Sequence, residues 1–161
     1  MHLRTFRADD LETLIGLTVR AFRPIQDGIR HQLGPELFAR QNGQWQQDYR
    51  DTLTELTAPE RRHRFLVADL DGAPAGYAAW AVHPGPAGPQ GEITLLAVDP
   101  RHQRSGLGRA LIEAACAAMR AAGCVVAWAS TGGDDAHASA RAAYAAGGFT
   151  PLPTVFYSRV L

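Results

Sequence analysis

Residues 92–108 read E-I-T-L-L-A-V-D-P-R-H-Q-R-S-G-L-G, and this stretch is the most informative part of the chain about its fold. The first seven are mostly apolar and rich in strand formers, and Pro100 closes the run, so they predict a buried strand. Gly106 and Gly108 then open a segment of high helix propensity. A helix start offers unpaired backbone N–H groups and a positive dipole end, and small residues there let a phosphate come close. The stretch therefore predicts a strand that leads into a pyrophosphate-binding loop.

Other kinds of helix-opening loop also contain glycines. Glycines at a helix start often serve steric needs alone, so Gly-x-Gly by itself is a weak signal. A dinucleotide-binding fold would require a third glycine at the position of Leu111 and an acidic residue about 20 residues further on. A P-loop would require a lysine, and this chain has none.

Two motifs together resolve the ambiguity. Residues 103–108, Q-R-S-G-L-G, resemble the Gln/Arg-x-x-Gly-x-Gly/Ala signature of the GCN5-related N-acetyltransferase (GNAT) family. Residues 140–149, A-R-A-A-Y-A-A-G-G-F, resemble the Ala-x-x-x-Tyr-x-x-x-Gly-Phe helix and turn of the same family. The resemblance is firm over residues 64–161 and only topological over residues 1–63.

The resemblance implies a single N-acetyltransferase domain over residues 1–161, with acetyl-CoA as the acyl donor. Residues 1–63 would form the variable acceptor side, and residues 64–161 the coenzyme-binding core. In the family the fourth and fifth strands splay apart, and the pantetheine chain inserts between them. Carried onto this sequence, the implied coenzyme-binding residues are Leu96, Ala97, Val98, Gln103, Arg104, Ser105, Gly106, Leu107, Gly108, Arg109, His137 and Tyr144.

The resemblance also implies two catalytic residues. Glu92 stands at the start of the fourth strand, where it would act as general base toward the amine, directly or through a water, unless it is an ordinary strand-edge glutamate. Tyr144 would protonate the departing thiolate, since a phenol of pKa about 10 can donate to a thiolate of pKa about 8.5; the alternative is a core aromatic. A backbone N–H near a bulge around Leu96–Val98 would stabilise the charge on the thioester oxygen.

His137 stands seven residues before Tyr144, where many members of the family carry asparagine. A neutral histidine can also donate or accept one hydrogen bond, so it could hold the coenzyme, or serve as a second acid or base. Arg141 is either a phosphate contact or an exposed helix arginine. No metal site is expected, because Asp134, Asp135 and His137 lack a further matching ligand.

Composition sets broad limits. The 161 residues are 46% hydrophobic and 20% charged, as in a soluble globular protein. The formal net charge is zero, so neither nucleic acid nor an anionic membrane surface is indicated as a partner. Two cysteines, Cys116 and Cys124, make no disulfide framework, and Cys116 is expected to pack in the core. With no apolar signal core at the N-terminus and no stretch of about 18 apolar residues, we expect a cytoplasmic protein.

The pattern along the chain predicts an α/β (α+β) fold in the order β-α-α-β-β-β-α-β-α-β. Its centre would be a mixed sheet of six to seven strands flanked by helices. The first helix is predicted over Leu11–Phe22, ended by Pro24 and followed by a connection over residues 25–35. A second helical region is predicted over Pro35–Leu56, and a final strand over Thr154–Val160.

The acceptor is less well indicated. Glu36, Asp48, Asp51 and Glu55 could attract a cationic amine, but a solvated helix face explains them better. Trp45 and Tyr49 are equally compatible with a pocket and with a core. The proline-rich loop at residues 83–90 either borders the substrate entrance or is a long connection.

The function expected from these observations is acetyl-CoA-dependent transfer of an acetyl group to a primary amine of a small molecule or peptide, by direct attack. One alternative is a non-catalytic acyl-CoA-binding sensor that retains the loop. Another is an acyltransferase for a longer acyl group, for which Ala78, Ala79 and Ala97 would leave room. Residues 155–157, Val-Phe-Tyr, could supply the interface of a homodimer.

Overall fold

Five strands and five helices build the protein, and the computed structural model describes all 161 residues. The strands are β1 (His2–Thr5), β2 (Arg64–Leu70), β3 (Ala73–His83), β4 (Gln90–Val98) and β5 (Val126–Ala129). The helices are α1 (Leu11–Leu33), α2 (Pro35–Asn42), α3 (Trp45–Leu56), α4 (Leu107–Ala121) and α5 (Ala138–Ala146). No helix combines the length and the apolar character needed to cross a bilayer.

The strands form one sheet in chain order, β1-β2-β3-β4-β5. The pairs β1–β2, β2–β3 and β3–β4 are antiparallel, and β5 runs parallel to β4. A parallel pair needs a crossover, which α4 supplies. The mixed sheet flanked by helices confirms the predicted fold class, but it has five strands rather than six to seven.

Helices cover both faces of the sheet, because β3 is apolar on both sides. Tyr77 and Ala79 point to one side, where they pack in a core with residues of α1 and α3. Ala78 and Trp80 point to the other side, where they pack in a core with residues of α4. Successive side chains of a strand alternate between the faces. We call these sides the α1 face and the α4 face.

The turn between β2 and β3 falls on Asp71-Gly72, and Asp-Gly is a dipeptide typical of tight hairpins. Asp71 has a φ of 52° and Gly72 a φ of 84°. Two consecutive positive φ values are those of a type I′ turn, whose twist matches that of the flanking strands.

The first helix is longer than predicted. It does not end at Pro24 but runs through that residue to Leu33, and Gly34 with a φ of 78° ends it. The extension contacts α2, where Asn42 donates a hydrogen bond to the buried Gln26 at 3.2 Å. Packing of this kind offsets the hydrogen bond that a proline removes from a helix interior.

The predicted final strand over Thr154–Val160 is wrong for the single chain. Residues 150–161 form neither helix nor strand, and none of their backbone groups is hydrogen-bonded to another backbone group. Strand propensity is satisfied only beside a free sheet edge, and this segment does not lie along one.

Two of the acidic residues considered for an acceptor site form ion pairs with nearby arginines. Glu36 pairs with Arg40 at 3.2 Å, and Glu55 pairs with Arg61. Both pairs are exposed, which favours the interpretation of these acids as a solvated helix face.

The aromatic residues of α3 pack toward α1. The Tyr49 ring lies 4.8 Å from that of Phe22 and 6.2 Å from that of Trp45, between ring centroids. Arg23 lies over the Trp45 ring at 5.9 Å. These contacts favour a packing role for both aromatic residues.

Candidate functional site

Strands β4 and β5 separate partway along their length. They pair only over Gln90–Ile93 and Val126–Ala129, whereas β4 continues to Val98. The edge of β4 over residues 94–98 therefore faces no β5 partner for about 15 Å. We call this gap the fork. It has the form of the strand separation that the resemblance implies.

A bulge in β4 marks the start of the fork. Ala79 pairs with Leu95 while Trp80 pairs with Ile93, so Thr94 is the additional residue. The Thr94 hydroxyl is buried and has no hydrogen-bond partner, which is uncommon for a buried polar atom. The bulge lies two residues before the stretch, Leu96–Val98, around which the resemblance suggests an oxyanion donor.

The Leu96, Ala97 and Val98 side chains pack in the two cores of the sheet. A ligand in the fork would therefore meet only the backbone of these residues. An unpaired strand edge presents N–H and C=O groups in alternation, which suits an amide-containing chain laid along it.

An ion-pair cluster holds the end of β4. The buried Asp99 carboxylate lies 2.9 Å from Arg101 and 2.6 Å from Arg20 of α1. Hydrogen bonds from Arg101 and Arg20 hold the pKa of Asp99 well below its usual range, although burial opposes them. The backbone N–H of Arg101 also donates to Asp99. This cluster fixes the point at which the glycine-containing loop leaves the sheet.

The loop that follows is organised by its own side chains. Gln103 Nε2 donates to the Val98 carbonyl at 3.1 Å, and Ser105 Oγ donates to the His102 carbonyl at 2.6 Å. Arg104 and Gly106 have φ values of 60° and 85°. A positive φ is strained for arginine but not for glycine, so Gly106 is required by the backbone conformation.

A row of seven free donors runs through this loop into α4. The backbone N–H groups from Gln103 to Arg109 donate no hydrogen bond within the protein. A Cβ atom added to Gly106 would meet nothing within 4 Å, and one added to Gly108 would meet only Val98 at 3.8 Å. The two glycines thus border open space beside these free donors, an arrangement suited to phosphate groups.

The two arginines of the loop differ in how free their side chains are to bind a ligand. Arg109 pairs with Glu113 at 2.7 Å, one turn further along α4. Arg104 is exposed and forms no ion pair. The side chain of Leu107 is buried, so only its backbone N–H faces the loop. Arg104 is the cation most free to contact a phosphate.

Glu92 lies on the α1 face, one residue before the last paired position of β4 and β5. Its cross-strand neighbours are Ala81 and Trp128. His83 lies at the end of β3, and its Nε2 is 2.8 Å from Glu92 Oε2. The His83 ring lies 6.2 Å from that of Trp128, between centroids. This arrangement makes a carboxylate–imidazole pair next to an aromatic side chain.

A second histidine lies near this pair. His63 Nδ1 is buried and has no hydrogen-bond partner. Burial lowers the pKa of His63, and the charge of Glu92 opposes that effect. No motif in the sequence marked His63 or His83 as a site residue. The only usable signal was strand alternation, which places His83 on the same face as Ala81.

Tyr144 lies on the opposite face of the sheet. It packs against the core under α4, with its ring 5.3 Å from that of Phe149 between centroids. Burial raises the pKa of Tyr144 to about 12, and its hydroxyl makes no hydrogen bond within the protein. Glu92 and Tyr144 thus lie on opposite faces of the sheet.

His137 is held by its own loop. Its Nδ1 lies 2.6 Å from Asp134 Oδ2, and a Cβ atom on Gly132 would collide with its ring. Burial alone would raise the pKa of Asp134, but the His137 contact and backbone donors hold it below its usual value. Arg141 donates to the Gly132 and Asp134 carbonyls. Arg141 therefore stabilises this loop. Of the two ring nitrogens of His137, only Nε2 is left to bind a ligand.

The small residues considered for a longer acyl group do not line a cavity. Ala78 and Ala79 are fully buried in the two cores, and Ala97 is 3% exposed. They therefore leave no room of the kind expected from the sequence.

Comparison with known proteins agrees with this geometry. The model of the acetyltransferase (GNAT) family matches residues 30–149. A Desulfovibrio desulfuricans protein described as an acetyltransferase of the GNAT family has a TM-score of 0.69 at 23% identity, over 94% of this chain and 86% of that one. Among curated proteins, none matches the chain significantly.

Two further solved structures share the fold over nearly the whole chain. A single-site mutant of the BH1408 protein from Bacillus halodurans has a TM-score of 0.73 at 17% identity, over 100% of both chains. Aminoglycoside N-acetyltransferase AAC(6′)-Iy, in complex with CoA, has a TM-score of 0.66 at 18% identity, over 99% of this chain and 93% of that one.

Proposed function

Because this chain belongs to the acetyltransferase (GNAT) family, we propose that it transfers an acetyl group from acetyl-CoA to a primary amine of a small molecule or peptide. The observation that carries the proposal is the row of free N–H groups from Gln103 to Arg109, next to the open edge of β4. Together they supply donors for a pyrophosphate and a strand edge for the amide-containing pantetheine chain.

The donor would lie with its pyrophosphate on the loop and its pantetheine chain along residues 94–98, toward the bulge. Acetyl-CoA then supplies an activated thioester at the closed end of the fork. Backbone N–H groups on the open edge of β4 would stabilise the charge that develops on the thioester oxygen, at little reorganisation cost. The unpaired Thr94 hydroxyl is a further donor at that end.

Glu92 would take the proton from the attacking amine. The site favours such a role because the carboxylate is three-quarters buried and lies close to the last paired position of β4. His83 contacts the same carboxylate and is 45% exposed, so it can pass the proton from Glu92 to solvent. Trp128 beside them offers an aromatic face to a cationic acceptor.

Tyr144 would protonate the leaving thiolate. Since burial raises its pKa to about 12, the phenol stays protonated at any pH at which the enzyme would work. A base on one face and an acid on the other let the two proton transfers proceed without competing for the same group.

Calorimetric titration with acetyl-CoA tests the proposal. We expect micromolar binding to the wild type and at least tenfold weaker binding to Gly108→Glu, because a carboxylate there would fill the open space and repel phosphate. The matched control is Ala117→Glu, at an exposed position of the same helix, which should bind like the wild type. Absence of binding to the wild type would overturn the proposal.

Turnover is then measured as thiol release with a panel of primary amines. Release that depends on one amine class would identify the acceptor. Binding of acetyl-CoA without release for any amine in the panel would favour the non-catalytic sensor instead.

A further inference from the structure

Strand β5 carries two large apolar side chains that the fold leaves uncovered. Val126 is 47% exposed and Trp128 is 38% exposed. Ala127 and Ala129, which alternate with them, pack against the core under α4. Since successive side chains of a strand alternate between its faces, Val126 and Trp128 both lie on the α1 face of the sheet. We call these two side chains the β5 patch.

The α1 face is open at this strand because its core ends at β4. That core contains residues of α1, α3, β2, β3 and β4, and none of β5. Two side chains are far fewer than the roughly 20 to 30 residues that each partner of a protein interface contributes. The β5 patch therefore has the size of a contact with a small molecule.

The β5 patch adjoins the candidate base. Strand register places Glu92 opposite Trp128 and Gln90 opposite Val126. Glu92 thus lies at the end of the patch nearer to the fork, where the thioester would be. Side chains two residues apart on one face of a strand are separated by about 7 Å, so the patch extends by one such step from Glu92 away from the fork.

The proline-rich loop bounds the far end of the patch. The N–H of Val125 donates to the Pro89 carbonyl at 2.8 Å, which fixes the loop to the start of β5. The side chain of Gln90 packs against the same loop, since a Cβ atom on Gly85 would collide with it. An acceptor on the patch would therefore lie between this loop and Glu92.

The charges near the patch suit an acceptor with a single ammonium group. Only two strand residues are acidic, and one of them, Asp69, is paired with Arg4 at 2.6 Å. Glu55 of α3 is already paired with Arg61. Glu92 is therefore the one carboxylate that the sheet offers to a cationic ligand. A second ammonium group would lie over apolar surface without a partner, which is unfavourable.

An apolar patch beside one carboxylate is complementary to an amine carried on a small hydrophobic group. We propose that the acceptor is an arylalkylamine, in which a short alkyl chain joins one primary amine to one aromatic ring. The amine lies at Glu92, and the ring lies on Val126 and Trp128. Contacts between aromatic rings are favourable beyond the area that they bury, which favours a ring over an alkyl group. This assignment rests on the proposed function and names its acceptor class.

Thiol release from acetyl-CoA with three amines tests the assignment: 2-phenylethylamine, n-propylamine and spermidine. We expect kcat/KM for 2-phenylethylamine to be at least tenfold higher than for the others, because n-propylamine lacks the ring and spermidine adds unpaired charges. Equal or faster turnover of any non-aromatic amine would overturn the arylalkylamine assignment and leave the proposed function standing. Absence of release with every primary amine, these three included, would overturn the proposed function and the assignment with it.

The variant Trp128→Ala removes the larger part of the patch. We expect the ratio of kcat/KM for 2-phenylethylamine to that for n-propylamine to fall at least tenfold, mainly through KM, whereas Trp128→Phe should keep most of it. Leu152→Ala, at an exposed apolar residue outside the sheet, is the control and should match the wild type. An equal loss for both amines would show that Trp128 acts only near the amine, and would overturn the placement of the ring.

A change of charge on the patch tests the same placement without removing the tryptophan. Val126→Asp adds a second carboxylate, and Val126→Asn is the matched variant without the charge. Because Val126 is exposed, both proteins should fold normally. We expect the ratio of kcat/KM for spermidine to that for 2-phenylethylamine to be at least tenfold higher in Val126→Asp than in Val126→Asn. Equal ratios in the two variants would contradict the placement of the acceptor on the patch.

Discussion

At the scale of single residues, the Tyr144 hydroxyl has no hydrogen-bond partner within the protein, and its ring is only partly buried. A phenol that stabilised the fold would be hydrogen-bonded, as Tyr77 is to Thr18 at 2.7 Å. The free hydroxyl of Tyr144 is instead available to a ligand.

We expect Tyr144→Phe to lower kcat about 100-fold, because general acid catalysis contributes roughly that much or more. Acetyl-CoA binding and thermal stability should hardly change. Since burial raises the pKa of Tyr144 to about 12, ionisation of this phenol should cause no loss of wild-type kcat below about pH 11.

Steady-state kinetics with the acceptor identified in the amine panel check this expectation, with the exposed Tyr157→Phe as control. Wild-type kcat in Tyr144→Phe would remove this residue from the mechanism.

The pair of His83 and Glu92 makes a second residue-scale prediction. We expect Glu92→Gln to lower kcat/KM about 100-fold and His83→Gln about tenfold, with the double variant no worse than Glu92→Gln alone. The effects should not add, because His83 acts through the carboxylate.

The exposed His31→Gln serves as control for this pair. Additive losses in the double variant would show that the imidazole acts independently of the carboxylate.

At the scale of elements, Asp99 joins β4, α1 and the start of the loop. Asp99→Asn leaves two guanidinium groups beside an uncharged amide, so we expect a loss of about 3 kcal/mol in the free energy of unfolding at pH 7. The native pKa of Asp99 is depressed. Its contribution is therefore complete above the unfolded pKa of about 4 and is lost as the pH falls below it.

Urea unfolding between about pH 7 and pH 2.5, a range that spans the unfolded pKa of an aspartate, tests this. The wild type should approach the stability of Asp99→Asn as the pH falls, whereas Asp9→Asn, at an exposed unpaired aspartate, should match the wild type throughout. A gap between wild type and Asp99→Asn that stays constant with pH would contradict the assignment.

The ends of the helices and strands show which boundaries local sequence can predict. The glycine-containing loop and the start of α4 were predicted from the sequence. The β2–β3 turn and the break between α2 and α3 near Gly43 likewise follow from local backbone preferences. The prediction that α1 ends at Pro24 was wrong, because the contacts of α1 with α2 outweigh the tendency of proline to end a helix. Propensities predict where a helix can end, and packing determines where it does.

At the scale of the whole molecule, the predicted final strand over Thr154–Val160 does not form within one chain. Its sequence favours a strand, but strand formation requires a neighbour, and the open edge of β5 lies elsewhere.

The sequence by itself determined the family, the fold class and the candidate loop, because turn chemistry and helix starts are encoded over a few neighbouring residues. Only the tertiary structure decided which distant groups meet. The contact of His83 with Glu92 and the bulge at Thr94 depend on strand register. The separation of β4 from β5 depends on where pairing stops. Register and pairing arise from the packing of both faces of the sheet at once, which no local pattern specifies.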